Sequence, residues 1–388
     1  MSNPLLGVFY HWLGGLASAS FYIPYRAVRK WSWETYWLVG GFFSWIIAPV
    51  TLAVCLVPGL WDLIASAPGK SLGWAVFFGA MWGVGGLTFG LTMRYLGIAL
   101  GMAVALGFCA AFGTLVPPLF AGELGKISGT PSGLVILAGV LACLLGIGVS
   151  GLAGMSKEKE LSSEQKAATV KEFNFGKGML VATFSGVMSS CFAYGLAAGK
   201  PLADLTKSSL LAHGRSDLWQ NLPVLVVVLW GGFATNFVWC VVLNLRNRSA
   251  HEYINLPRTA VAEISAAEGL MLSAAPEEKS IRTTSVASTR VGPAPLLRNY
   301  LFSALAGVTW YLQFFFYSMG QTRMGKYEFS SWTLHMASII IFSTLWGIVL
   351  HEWKGTGLRT HVLIAIGLAM LVSSTAIVGY GNYLGAGH

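Results

Sequence analysis

Few side chains in the apolar stretches of this 388-residue chain can exchange a proton, and they are histidines. His11 and His335 lie in long uncharged runs, and an imidazole with an ordinary pKa near 6.5 changes charge around neutral pH. Glu328 stands seven residues before His335, about two helical turns, so the spacing predicts one helix face and a carboxylate–imidazole pair. His11 is the second candidate for the same chemistry. The bland alternative makes His335 a packed neutral donor and Glu328 a solvated helix-start residue favoured by the macrodipole. A second kind of chemistry is binding. Trp82 and Trp310 sit well inside uncharged runs, where headgroup anchoring does not account for an indole, and Gln313 follows Trp310 by three residues on roughly the same helix face.

The elements that must carry these groups follow from composition. Hydrophobic residues make up 55% of the chain and charged residues 11%, against about 25% charge in a soluble domain. An ordinary globular enzyme and a disordered chain are both excluded. The net charge of +9 suits no nucleic-acid partner, because the basic residues fall between apolar runs rather than along an aromatic-flanked stripe. Cys55, Cys109, Cys143, Cys191 and Cys240 are widely spaced in apolar runs, which predicts buried thiols and no metal site. The class is an all-α polytopic membrane protein.

A crossing helix needs about 20 apolar residues. Ten uncharged runs reach that length: 5–25, 36–58, 72–93, 97–121, 131–153, 178–198, 222–243, 299–322, 329–350 and 361–383. Lys and Arg collect in alternate connectors, 18 against 7 elsewhere, which places both termini outside by the positive-inside rule. The start "MSNPLLGVFYHWLGG" lacks a basic region and reads as a first span, not a cleaved signal. Residues 246–298 are rich in Ser, Thr, Ala and Pro and read as a mobile cytoplasmic linker, with a docked partner as the alternative.

The two halves repeat. Gly15, Ser18 and Phe21 match Gly186, Ser189 and Phe192; Gly40-Gly41-Phe42 match Gly231-Gly232-Phe233; Gly79, Trp82 and Gly97 match Gly307, Trp310 and Gly325; Phe112, Thr114 and Leu115 match Phe342, Thr344 and Leu345. Five spans per copy invert the second copy in the membrane, the arrangement of alternating-access transporters. The division is 1–153 for the first repeat, 154–177 for a cytoplasmic connector and 178–388 for the second repeat.

The strings "KWSWET" (30–35), "FGAMWG" (78–83), "GLTMRYLG" (90–97), "WYLQFFFY" (310–317), "SWTLHM" (331–336) and "EW" (352–353) resemble the bacterial L-rhamnose–proton symporter family of the drug/metabolite transporter superfamily. The resemblance covers nearly the whole chain. It implies a ten-helix inner-membrane carrier that takes up a 6-deoxyhexose with a proton, H+ being the coupling ion and no cofactor being needed. Two departures stand out: Gly86 occupies a place where the family pattern has asparagine, and the 246–298 connector is long.

A pyranose offers apolar faces and a rim of hydroxyls, so its site needs aromatic platforms and hydrogen-bonding groups. Trp82, Trp310 and Gln313 lead that set, with Tyr22, Tyr311, Tyr317, Thr88 and Asn236 behind them. Simple bundle packing is the alternative for each ring. Arg94 and Arg323 are candidates to pair with a carboxylate in one gate state, Arg323 with Glu328, whereas Arg26 and Lys200 read as snorkelling anchors. Pro117 and Pro118 predict a bend or break, a candidate hinge. Gly79, Gly83, Gly86 and Gly90 read as a close-packing stripe. The competing readings are a same-fold carrier of another sugar or metabolite, and an enzyme acting on lipid-linked sugars. For the enzyme, His351-Glu352 lacks the spacing of a metal motif.

Overall fold

The computed structural model describes residues 3–96, 98–160, 174–255 and 294–386, apart from the side chains of 93, 94, 98 and 99. Most of the 246–298 linker, part of the 154–177 connector, Gly97 and the Arg94 side chain therefore lie outside the described residues.

The described residues form helices joined by turns and short connectors. The long helices are α1 Pro4–Ser20, α2 Trp33–Leu56, α3 Gly69–Leu96, α4 Ile98–Phe120, α5 Pro131–Glu160, α6 Phe175–Ala198, α7 Leu222–Asn247, α8 Leu296–Gln321, α9 Ser331–Val349 and α10 Leu358–Gly385. Eight of them belong to segments long and apolar enough to cross a membrane, and no strand occurs among the described residues. The two others are informative. Helix α1 has 17 residues, fewer than a straight crossing needs, and is continued by the single turn Tyr22–Tyr25 around Pro24. Helix α8 is long, 26 residues, but carries Arg298, Asn299 and Gln313, which lower its hydropathy.

Local sequence sets several ends. Asn3 and Asn174 cap α1 and α6 by accepting from Leu6 N and Lys177 N at 3.1 and 3.0 Å. In α2 a π turn spans Phe42–Ile47, just before Pro49, which has no N–H to continue the ordinary ladder. Pro117 and Pro118 do not break α4. They occupy its final turn, and the helix ends at Phe120, so the expected hinge is instead a helix terminus.

Packing is set by small residues. Helix α1 lies against α8 and α9, and α6 lies against α3 and α4. Helix α7 covers α3 and part of α2, and α5 pairs with α10. A side chain on Gly79 would strike the backbone of Val228, and one on Gly307 the backbone of Gly40, so both glycines fix close helix crossings. Gly83 does the same against α7, but Gly86 and Gly90 face nothing, which splits the expected stripe in two. Four of the five cysteines are buried thiols as expected, and Cys55 is exposed.

Candidate functional site

One end of the bundle holds an open cavity of about 390 Å3, within the roughly 300–1,000 Å3 of small-molecule sites. Helices α4, α6, α8 and α9 wall it, with the short segments around Lys200 and Asn221 at its rim. Its deepest aromatic groups are Tyr317 and Trp332, both almost fully buried. The Trp332 indole N–H donates to the Cys109 carbonyl at 3.0 Å, and its ring stacks on Phe192 at 5.7 Å. Gly113 makes this placement feasible, since any Cβ there would run into the Trp332 ring.

Charged and amide groups ring the mouth: Lys200, Glu328, Glu123, Asp204, Lys326, Asn221 and Gln321. Lys200 Nζ lies 3.0 Å from Glu328 Oε1, and this carboxylate holds the Lys200 ammonium above the ordinary lysine range. Lys200 thus has an ionic partner and is more than a snorkelling anchor. Arg323 pairs with Asp217 at 3.2 Å, so the expected Arg323–Glu328 pair is not the one formed. Arg26, the other expected anchor, reaches Glu352 at 3.3 Å at the opposite end.

Beneath the cavity floor sit the two histidines. His11 and His335 are both buried, and their ring centroids lie 5.3 and 5.2 Å from that of Tyr317. None of their four ring nitrogens has a hydrogen-bond partner among the described residues. Ser338 Oγ sits between the backbone carbonyls of His11 and His335, at 2.9 and 2.8 Å, and fixes the backbone while leaving the imidazoles free. The sequence-based pairing of Glu328 with His335 is not the contact observed. Helix α9 begins at Ser331, Glu328 belongs to the preceding 3-10 turn Gly325–Ser330, and the carboxylate turns to Lys200 at the mouth.

Trp82 and Trp310 do come together. Each stands edge-on to Phe314, at 5.4 and 6.1 Å, and Trp82 also meets Phe192 and Trp45. Phe21 caps Trp310 at 4.2 Å. The space beside Trp310 is about 10 Å3, room for roughly one water and no sugar. Gln313 is buried with its Nε2 unpartnered. Asn236 is satisfied: its Nδ2 donates to Gly232 O at 2.9 Å and its Oδ1 accepts from Trp37 Nε1 at 3.2 Å. Thr88 donates back to Val84 O along its own helix, and Tyr311 is fully buried. Tyr22 is 55% exposed and lines neither cavity, but its ring packs on Phe21 at 4.0 Å at the edge of the aromatic cluster.

The opposite end is sealed by uncharged donors on buried acceptors. Glu34, only 4% exposed, accepts from Asn247 Nδ2 at 2.9 Å and Ser249 Oγ at 2.7 Å. Asn299 brackets the Arg29 backbone, accepting from its N–H at 3.0 Å and donating to its carbonyl at 2.7 Å. Glu252 accepts from Ser32 N and Oγ at 2.7 and 2.8 Å, and its carbonyl takes the Trp31 indole N–H at 3.0 Å. Arg248 adopts a left-handed conformation, φ 53°, which ends α7 and turns Ser249 back towards Glu34.

A bundle with a sugar-sized cavity at one end and a lock at the other has the form of a carrier, and comparison with known proteins decides which. The profile described as L-rhamnose-proton symport protein matches residues 1–275 and 278–383. The chain belongs to this family. Its similar relatives include the L-rhamnose-proton symporter of Shigella sonnei (strain Ss046), 34% identical over 98% of this chain and 99% of the relative. The L-rhamnose-proton symporters of Citrobacter koseri and Yersinia pestis (strain Pestoides F) are 34% and 33% identical, again over 98% of this chain and 99% of their own length. A family of symport proteins is a family of transporters, so the membrane-enzyme reading falls. Within this symport family member, Trp332, Gly113 and Glu34 were not singled out by sequence reasoning, and Lys200 was read only as an anchor. For two of them a signal was present: Trp332 and Glu34 lie in the "SWTLHM" and "KWSWET" strings on which the family resemblance rests.

Proposed function

We propose that the chain takes up L-rhamnose together with a proton across the bacterial inner membrane by alternating access. Full-length membership of the symport family carries this reading, since the relatives are L-rhamnose-proton symporters over 98% of this chain. The cavity adds chemical sense: aromatic faces from Trp332 and Tyr317 below, amides and a Lys–Glu pair around the rim. His335 and His11 are the proton carriers in this reading, and Trp82, Trp310 and Gln313 form the inner part of the sugar path that opens when the carrier turns. Pro117 at the cavity wall and Arg323, paired with Asp217, belong to the moving gate.

Ten crossings in two inverted five-helix repeats, 1–153 and 178–388, complete the reading, with both termini in the periplasm. Helix packing supports it. Exchanging each helix number with its counterpart five later maps α3–α6 onto α8–α1, α4–α6 onto α9–α1 and α3–α7 onto α8–α2, all of which are packed pairs. The match extends to residues: Ser185 Oγ donates to Gly85 O, while the corresponding Gly14 lies against the carbonyl of the corresponding Gln313. On this topology the cavity faces the periplasm. A proton moving through 100 mV supplies about 2.3 kcal/mol, enough for a several-tenfold accumulation.

The test is sugar-induced alkalinisation in proteoliposomes with a panel of sugars. L-rhamnose should raise the external pH as it enters, and His335→Gln should retain exchange but lose uphill uptake. One observation favours a second cargo. A side chain at Gly86 would meet open space, so the asparagine of the family pattern is missing there without a replacement. A larger response to another sugar would select that reading.

A further inference from the structure

The cavity and the histidine pair share a boundary, and Tyr317 stands on it. Tyr317 lines the cavity floor, and its ring packs against both His11 and His335. Trp332 also borders both regions, 6.1 Å from His335, but its N–H is committed to Cys109 O and its face to Phe192. Trp332 is therefore held. Tyr317 is not: among the described residues no protein group hydrogen-bonds its hydroxyl, yet that hydroxyl is absent from the sealed-off polar atoms, where that of Tyr311 is found. A phenol oxygen that is neither paired nor entombed has the cavity as its source of partners.

We infer that Tyr317 is the positioning residue that joins sugar to proton, its ring forming the barrier between cavity water and the imidazoles and its hydroxyl forming the handle a bound sugar turns. The inference rests on the symport reading above. With the ring in place, the imidazoles are dry, and no carboxylate contacts them from α1, α8 or α9 among the described residues. Placing a charge in such a pocket is costly. The nearest charged groups are Glu328 and Lys200 at the mouth, the first within electrostatic reach of Tyr317. A sugar hydroxyl that engages the phenol draws the ring towards the cavity, and a water file then reaches one imidazole. The step is a proton transfer: hydronium gives its proton to a ring nitrogen lone pair and leaves as water, with no other bond changed. An empty carrier thereby stays closed to protons, which is what tight coupling demands.

Two variants separate ring from hydroxyl in proteoliposomes with L-rhamnose as probe. Tyr317→Leu removes the barrier: sugar counterflow should persist while the proton-to-sugar ratio falls towards zero and uphill accumulation disappears. Tyr317→Phe keeps the barrier but removes the handle: the empty carrier should stay closed to protons, the proton-to-sugar ratio should fall because bound sugar no longer draws the ring aside, and the KM for L-rhamnose should rise about five- to tenfold for the lost hydrogen bond. A purely structural tyrosine would lower protein yield and maximal rate while leaving ratio and KM alone. An unchanged ratio in Tyr317→Leu, or an unchanged KM in Tyr317→Phe, overturns the inference, and the second measurement decides if the leucine variant does not fold. Failure of alkalinisation in the unaltered protein would instead strike the symport reading itself, so the two failures are told apart.

Discussion

Glu328 and Glu34, carboxylates at the two ends of the bundle, are held in opposite ways. At the cavity end Glu328 meets Lys200 beside open space, and Lys200 and Glu328 keep 59% and 44% of their side-chain surface. At the sealed end Glu34 is buried and its Oε1 is met by two uncharged donors from the end of α7. Exposed ion pairs contribute about 0–1 kcal/mol, whereas a buried acceptor stripped of its donors, or the reverse, costs about 1–3 kcal/mol for each group left alone. The Glu34 contacts are therefore costlier to open than the Lys200–Glu328 pair.

The sharpest way to break that contrast is Glu34→Ala. It leaves the Asn247 amide without its acceptor and the Ser249 hydroxyl with Asn244 Oδ1 alone, and stability should drop by about 1–3 kcal/mol. Unfolding of the purified protein measures the loss, and hydrogen exchange in 26–36 and 244–255 should rise with it. Unaltered exchange there would show that the lattice is not the seal.

Gly113→Ala comes next, at the cavity end. Its Cβ would press into the Trp332 ring, an overpacking that costs about 1–3 kcal/mol and tilts the cavity floor. The expected sign is a raised KM for L-rhamnose with little change in hydrogen exchange at the sealed end. A matching rise at both ends would mean that the two regions are one cooperative unit.

The smallest effect belongs to Lys200→Ala. Stability should move by no more than about 1 kcal/mol, since the pair with Glu328 is exposed. Sugar entry should nevertheless slow, because the rim loses both a donor and the partner that holds Glu328 in place. A large loss of stability would erase the distinction between the ends.

Much of the helical framework was legible from uncharged runs, because a backbone in hydrocarbon must satisfy its own hydrogen bonds. The run 178–198 and helix Phe175–Ala198 nearly coincide. Where they differ, the cause is physical: α5 continues through Lys157 and Glu160 because a helix that has left the membrane can keep turning in water. The site was less legible. His11 and His335 were found by their rarity, yet the partner of Glu328 is a lysine 128 residues away and that of Glu34 an asparagine 213 residues away. Spacing within one helix carries no information on such pairs. The seven-residue argument for Glu328 and His335 assumed one unbroken helix, and the chain changes helix type between them. Tyr22 and Tyr317 looked alike in sequence, since both sit near the end of an aromatic-rich run; only the fold puts one outside and the other between cavity and imidazoles.

Helices α5 and α10 run antiparallel along a line of glycines, with Gly139 against Val378, Gly146 against Leu371 and Gly381 against Ile136. The seven-residue step from 139 to 146 and from 371 to 378 is the repeat of helices that coil around one another over their length. Such a pair moves as a single strut. Contact repeated over the length of both helices leaves neither room to slide past the other without displacing a side chain at each crossing glycine.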